Sequence, residues 1–331
     1  MQTTIVTVTY GQRWRFLRQL LQYAEREPRV QTVVVVDNGS IDSIAEQARA
    51  ARLTKADVVR LERNTGSAQG FRLGMEHAMR IGAEFIWLMD DDNLPEEGSL
   101  DALHGEYARL RENGGAEKDV LLAFRPEHQA GVTLGVYGER CYPRHSSFLG
   151  FHVLDIPFKV LRRWTMPVVE RKFAERMALP YAPYSGMYFH HSLLAHIGLP
   201  NPDLVLYADD TDFSFRVTRG GGRIWLITSA RLKDLESSWN VTATFQHSLE
   251  RWLRGSGDLR AFYACRNQVY FEREHWTRNR IWYRVNKWTY LTLMAYYAFR
   301  FRERARLKLV LDAVNRGERA LLGSDPRYPL P

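Results

Sequence analysis

The sequence predicts an α/β protein built on a mostly parallel sheet with helices on both faces, followed by a helical, aromatic and basic C-terminal region. Three observations carry this. Apolar, β-branched runs at 3–8, 32–36, 57–61 and 84–89 alternate with segments of helical periodicity at 12–25, 41–51 and 68–80. Strand alternating with helix at this tempo pairs the strands in parallel and covers the sheet on both sides. After about residue 249 the strand signal ends, and the chain reads as helices rich in Tyr, Trp and Arg. With 331 residues and 45% hydrophobic content, the chain can bury one large core, or one core plus an appendage. We therefore divide it at 1–248 and 249–331, and the first part again into 1–123 and 124–248.

The elements follow in order. Residues 3–8 begin a strand almost at once, with neither the basic start nor the long apolar stretch of a secretory signal, so a cytoplasmic location is expected. In 12–25, Trp14, Leu17, Leu20, Leu21 and Ala24 recur at helical spacing and make one apolar face. Residues 32–36 are an unbroken apolar run, as in a strand buried on both faces, ended by Asp37-Asn38-Gly39-Ser40. A helix, a strand at 57–61, a helix and a strand at 84–89 complete the alternation. Ligands of such sheets sit in the crevice outside the carboxyl ends of the strands, which singles out Tyr10, Asp37, Asn64 and Asp90. From 124 to 183, six prolines from Pro126 to Pro183 and several glycines break the pattern, and loops with short strands are expected. A turn at 197–203, a helix at 206–219 with an acidic start and a strand at 223–227 follow.

Cys141 and Cys265 are far apart and have no metal-ligand neighbours, which argues against a disulfide framework or a zinc site. The net charge is +8, and much of the excess lies between Arg278 and Lys308, whereas the acidic clusters fall in the first two-thirds. Such a balance suits phosphate-bearing substrates, an anionic membrane surface or nucleic acid, or is an ordinary solvated surface.

Three segments carry chemistry. Asp90-Asp91-Asp92 follows the apolar run 85–89. Adjacent carboxylates at the end of a buried strand repel one another, and a divalent cation offsets that penalty. Alternate side chains share a side in extended structure, so Asp90 and Asp92 can hold one Mn²⁺ or Mg²⁺ while Asp91 points elsewhere. A helix N-cap explains one of these residues but not all three. The segment 64–74, with Gly66, Gly70 and Gly74, lies between a strand and a helix, where backbone can approach a phosphate or ribose, although glycines there also serve packing. Asp37 is placed to accept a hydrogen bond from a base or ribose, or is simply a turn residue. In Asp209-Asp210-Thr211-Asp212, Asp209 and Asp212 share a helix face, Asp212 can pair with Arg216, and Asp210 is left as a candidate base; the alternative is a charged, capped helix start.

Taken together, Thr7-Val8-Thr9-Tyr10, Val36-Asp37-Asn38-Gly39-Ser40, the 64–74 loop, Asp90-Asp91-Asp92, Tyr184-Ser185-Gly186 and Asp209-Asp210 resemble the family-2 glycosyltransferases, which have the GT-A fold. Tyr263-Ala264-Cys265-Arg266-Asn267 is similar to a segment of bacterial rhamnosyl- and galactofuranosyltransferase-like members. The resemblance covers about residues 3–235. It implies that 1–123 binds a nucleotide-diphosphate sugar and that 124–248 shapes the acceptor and catalytic half. Thr9, Tyr10 and Asp37 would line the nucleotide pocket, with Asn64 and Gly66 beneath it. Asp90 and Asp92 would hold the metal, Asp91 would face the donor sugar, and Asp210 would be the base. Ser185, Gly186 and Asp209 would meet the acceptor. Members often place a metal-binding histidine one strand later; here Asp234 falls in that position. The implied reaction is inverting transfer to a hydroxyl of a glycan or lipid-linked glycan in cell-surface polysaccharide assembly. The triple Asp, with Gly70-Phe71 closing the preceding loop, resembles galactofuranosyltransferases that use a uridine-diphosphate sugar, so the donor leans to UDP-galactofuranose, with thymidine-diphosphate rhamnose as the alternative.

The rival classes fit less well. A nucleotidyltransferase needs a basic, glycine-rich phosphate loop after the first strand, and Tyr10-Gly11-Gln12-Arg13 is a poor one. A dinucleotide dehydrogenase needs Gly-x-Gly-x-x-Gly there, which is absent. A nucleic-acid-binding protein leaves both acidic clusters unexplained, so nucleic acid is not an expected partner. The uncharged run 288–299 is too short to span a bilayer but is flanked by arginines. It suits peripheral docking on an anionic inner membrane face; packing on the catalytic part or a homo-oligomer interface is the alternative.

Overall fold

The computed structural model describes residues 1–112, 117–133, 142–157, 174–236, 248–255 and 257–331. Cys141 and Pro167 lie outside the described residues. Parallel strands β1 (Thr3–Gly11), β2 (Val30–Ser40), β3 (Ala56–Leu61) and β4 (Phe85–Asp90) form one half of a nine-stranded sheet. The other half comprises β5 (Asn93–Pro95), β6 (Val120–Phe124), β7 (Arg176–Leu179), β8 (Met187–His190) and β9 (Ile224–Asp234). The order is β3-β2-β1-β4-β8-β6-β9-β5, with β7 also on β9. Strand β8 runs antiparallel to β4 and β6, whereas β6 and β9 are parallel. The GT-A architecture is the one the motifs imply.

Helices α1 (Trp14–Arg26), α2 (Ile44–Ala50), α3 (Ser67–Arg80) and α4 (Ser99–Glu112) cover the faces. Helix α1 buries Leu17, Leu20, Leu21 and Ala24, the apolar stripe of its sequence, against Ile5, Val33 and Val35. The opposite face packs Phe71, Met75 and Ala78 of α3 on Val6, Val34 and Leu88. Alternate residues of each strand thus enter different cores, as period two requires. Gly70 and Gly74 serve this packing, because a Cβ there would stand 2.7 Å from Val8 Cγ1 and 2.5 Å from Val6 Cγ1. Ser43 starts α2 three residues later than expected by accepting the amide of Glu46.

The proline-rich stretch holds more regular structure than its pattern suggests. Residues 126–133 form helix α5, and β7 is one of the short strands expected there. Pro126 is the first residue of α5, a position where its missing N–H is harmless. Short helix α6 (Leu193–Ile197) precedes α7 (Asp209–Arg219), and β9 runs to Asp234 rather than ending at 227. Beyond it α8 (Ser248–Arg254), α9 (Asp258–Phe271), α10 (Arg280–Phe301) and α11 (Arg304–Glu318) build a third apolar cluster around Phe262, Tyr290, Met294 and Val310. Val205 and Leu149 join that cluster, so the helices also brace the chain leading into α7.

Candidate active site

Register brings the expected strand ends together. Thr9 of β1 lies opposite Asp37 of β2, and Val8 lies opposite Asp90 of β4. Asp90 ends β4 with its side chain 44% exposed. Asp91 turns inward: Thr9 Oγ1 donates to it at 2.6 Å, and Arg13 Nε reaches both carboxylate oxygens at 2.8 and 2.9 Å. These surroundings differ from the donor-sugar contact that the resemblance implies for Asp91. Burial pushes its carboxyl up to about 7, opposed by Arg13 and Thr9. Arg13 also meets Asp92 at 3.2 Å and Glu236 at 2.6 Å. Asp92 is raised to about 6 by burial and then by the Asp90 carboxylate, opposed by Arg13.

Asp234 is nearly buried, and its oxygens are already engaged. Arg125 Nη2 and Nε donate to Oδ1 at 2.7 and 3.0 Å, Asn93 Nδ2 donates at 2.9 Å, and His128 Nε2 lies 3.2 Å from Oδ2. Burial works to raise this carboxyl, but His128 and Arg125 outweigh it and hold it below the usual range. Asn93 also accepts from the backbone N–H of Asp90 at 3.0 Å and from the Ser185 hydroxyl, tying three site residues to one side chain. Ser185 is therefore interior. Gly186 is interior too, hydrogen-bonded through its backbone to Leu88 and Ala123. Both shape the wall between β4 and β6.

Among the described residues, no group of three or more His, Cys, Asp or Glu side chains is arranged to hold a metal ion. The available donors are the half-exposed Asp90 and the Asp92 beside it. Hard divalent cations such as Mg²⁺ commonly take one or two carboxylates and complete their shell with water and substrate phosphate. The pair fits a cation shared with a diphosphate, and does not fit one caged by protein alone.

On the nucleotide side, Tyr10 is exposed at the end of β1, with the Arg13 guanidinium 5.7 Å from its ring centre. Asp37 is fully buried, accepting from Ser40 N at 2.9 Å and from Arg60 Nη1 at 3.1 Å. Asn38 knits the neighbouring loop. Its Nδ2 donates to Asn64 Oδ1 and to the Gly66 carbonyl, and its Oδ1 accepts from Thr65 N. Gly66 has φ +90°, and any Cβ there would collide with the carbonyl of Val205. The expected Asn64–Gly66 floor is thus a rigid loop pressed against the entry to α7.

That entry carries the second acidic cluster. Val205, Tyr207 and Ala208 have φ of +65°, +68° and +57°, a run of non-glycine residues in the left-handed region. Each such residue costs roughly 1–2 kcal/mol and needs support from its surroundings. The support comes from α9. Asn267 Nδ2 donates to the carbonyls of Leu204, Leu206 and Tyr207 at 2.6, 2.9 and 2.9 Å. Arg266, fully buried, reaches the carbonyls of Leu204 and Asp203 and is held by Asn267 Oδ1. Burial lowers its pKa to about 10. The Arg–Asn pair of the sequence motif therefore pins the loop that presents Asp209 and Asp210.

Asp209 is buried and accepts from Ser67 Oγ at 2.9 Å, linking the pair back to the nucleotide loop. Burial, then the neighbouring Asp210, pushes its carboxyl up to about 8. Asp212 is buried on the same helix face, bound to Arg216 and to His275. Asp210 projects differently and remains partly exposed. Burial raises it to about 6, opposed by the Thr211 backbone N–H, and the Asp90 carboxylate adds to the rise.

Sequence reasoning missed Arg13, Asn93, Arg125, His128 and Glu236. Arg125 was findable: it stands immediately past β6, the placement that singled out Asp90. Helix α5, which carries His128, was hidden by Pro126 at its start and Gly131 within it.

Residues 4–152 match the Glycosyl transferase family 2 profile. That is the family the motifs resemble. Galactofuranosyltransferase GlfT1 of Mycobacterium tuberculosis is 28% identical over 193 residues, covering 57% of this chain and 55% of that protein. GlfT1 of Mycolicibacterium smegmatis is 33% identical over 95 residues, 29% of this chain and 31% of that one. The chain thus spans about half the length, or less, of these curated relatives. Among solved structures, GalNAc-T7 with UDP, GalNAc and Mn²⁺ shares the fold at a TM-score of 0.54 and 14% identity, covering 82% of this chain and 47% of that one. Residues 1–349 of S. aureus TarS, solved with UDP-GlcNAc, do so at 0.52 and 14%, covering 96% and 81%.

Proposed function

We propose that this protein is a glycosyltransferase that moves a sugar, with inversion, from a nucleoside-diphosphate donor to a hydroxyl of a glycan or lipid-linked glycan acceptor. The observation that carries the reading is the meeting of Thr9, Asp37 and Asp90 at the strand ends with helix α7, which the Ser67–Asp209 hydrogen bond ties to the neighbouring loop and at whose start Asp210 stays partly exposed. One cluster suits the donor diphosphate, and a single partly exposed carboxylate on the other side suits the acceptor. Tyr10 would stack on the base, Asp37 and Asn64 would accept from base or ribose, and the backbone around Gly66 would meet the ribose or phosphate. Asp90 and Asp92 would hold Mn²⁺ or Mg²⁺, which when bound neutralises charge developing on the departing diphosphate. The relative solved with Mn²⁺ supports a divalent ion here. Asp210 would take the proton of the attacking hydroxyl as the new bond forms. One base opposite one leaving group corresponds to a single displacement and an inverted anomeric carbon. Asp91 would serve by fixing Arg13 beside Asp92, and Asp209 by anchoring the start of α7 to Ser67.

The names of the curated relatives support a galactofuranosyl donor. The test offers UDP-galactofuranose and thymidine-diphosphate rhamnose separately, with and without Mn²⁺, and follows nucleotide release and the anomeric configuration of the product by NMR. Cation-dependent release from UDP-galactofuranose alone, with inversion, is the expected result. Release from neither donor, or a retained configuration, overturns the reading.

A further inference from the structure

Helix α10 has two apolar sides. Tyr283, Tyr290, Leu291, Met294 and Ala298 are buried against α9 and α11, and Asn286 ties the helix to the 146–153 segment through Ser146 and Val153. The other side is bare. Ile281, Val285, Trp288, Tyr296 and Phe299 recur at intervals of three, four and eight residues and are exposed, Trp288 at 64%, Tyr296 at 63% and Phe299 at 69%. At 3.6 residues per turn these positions fall on one stripe. No Asp or Glu occurs in the helix. Arg280 and Arg284 stand exposed at one end and Arg300, Arg302 and Arg304 at the other, none in an ion pair among the described residues.

We infer that this face docks on an anionic lipid bilayer, with the stripe in the headgroup–acyl boundary and the arginines on lipid phosphates. An exposed aromatic stripe with cations at both ends has the chemistry of an interfacial helix, since Trp and Tyr favour that boundary and Arg favours anionic head groups. Among the described residues, no helix is long and apolar enough to cross a membrane, so α10 lies along the surface. A second copy of the chain is a poorer occupant. A two-fold contact of α10 with itself brings the arginines of one end against those of the other, with no acidic residue on the helix to answer them. The inference does not depend on the reaction, because it is read from binding alone.

The test is co-sedimentation of the full chain with phosphatidylcholine vesicles and with phosphatidylcholine–phosphatidylglycerol vesicles, at low and high salt. The variants are Trp288→Ser with Phe299→Ser, and Arg284→Glu with Arg300→Glu. All four side chains are exposed, so both double variants should keep the wild-type Tm. Wild type should bind only the anionic vesicles, less so in high salt, and each double variant should lose on the order of 10-fold or more in partitioning. Absence of binding to anionic vesicles at low salt overturns the proposal. So does binding that both variants retain, or a wild-type dimer in solution that Trp288→Ser with Phe299→Ser converts to monomer.

Discussion

The two acidic clusters are built from the same residue type in opposite surroundings. At Asp90–Asp92 the carboxylates are answered by guanidinium groups: Arg13 holds Asp91 and touches Asp92, and Arg125 holds Asp234 and stands 3.9 Å from Asp90. At Asp209–Asp210 the partners are Ser67, Thr211 and backbone. Charge compensation favours ionised carboxylates, whereas burial beside a like charge favours protonation. Burial raises carboxyls in both clusters, Asp91 and Asp92 as well as Asp209 and Asp210, but only in the first do guanidinium groups work against that rise. The difference follows from what each pair was folded against.

The largest effect that tests this contrast is Asp210→Asn, which keeps shape and removes basicity. Turnover should fall by about 10²–10⁴-fold with donor affinity nearly unchanged. A large loss of donor binding with little loss of turnover would move Asp210 to a structural role. In the wild type, turnover should rise with pH through about 6, where the raised carboxyl loses its proton. Positive charge placed between the clusters shifts that midpoint down, so the profile should move to lower pH with saturating cation. A profile with no acid limb at either limiting or saturating cation would remove Asp210 as the base.

Asp92→Ala should come next. Cation-dependent stabilisation by nucleoside diphosphate should disappear, while the Tm without ligand changes little, since the side chain sits at a strand end. Wild-type transfer by this variant, or transfer without added cation, would break the assignment of Asp90 and Asp92. Asn267→Ala acts from a distance. It removes the donor that the carbonyls of Leu204, Leu206 and Tyr207 share and loosens the strained 204–208 loop, so turnover should drop about 10-fold or more and stability by about 1–3 kcal/mol. The turnover loss should exceed the loss in donor affinity; equal losses in both would mean the loop serves the fold rather than the base.

The smallest effect is Asp209→Asn. Its folded pKa of about 8 lies above the ordinary 3.8, so the native state holds a proton that the unfolded chain releases. The stability this gives is complete below the unfolded value and is lost as pH rises through about 8. The amide has no such loss. The Tm of Asp209→Asn relative to wild type should therefore climb between pH 5 and 8. A constant difference would mean that Asp209 is ionised in the native state.

Much of this was legible in the chain itself. Periods of two and 3.6 residues are set by backbone geometry, so β1 to β4 and α1 to α3 could be read from local pattern, and with them the crevice where Thr9, Asp37 and Asp90 meet. The alternation of Asp90, Asp91 and Asp92 and the shared face of Asp209 and Asp212 are likewise local consequences of strand and helix. Partners distant in sequence were decided only by tertiary packing. Glu236 reaches Arg13 across 223 positions, Arg125 reaches Asp234 across 109, and Asn267 gathers carbonyls about 60 residues away. No periodicity encodes such pairings, because they arise where the ends of different elements converge. The exposure of Trp288 and Phe299 has the same origin. The apolar content of that segment is plain in the sequence, but which of its two apolar sides finds a neighbour depends on how α9 and α11 pack against it.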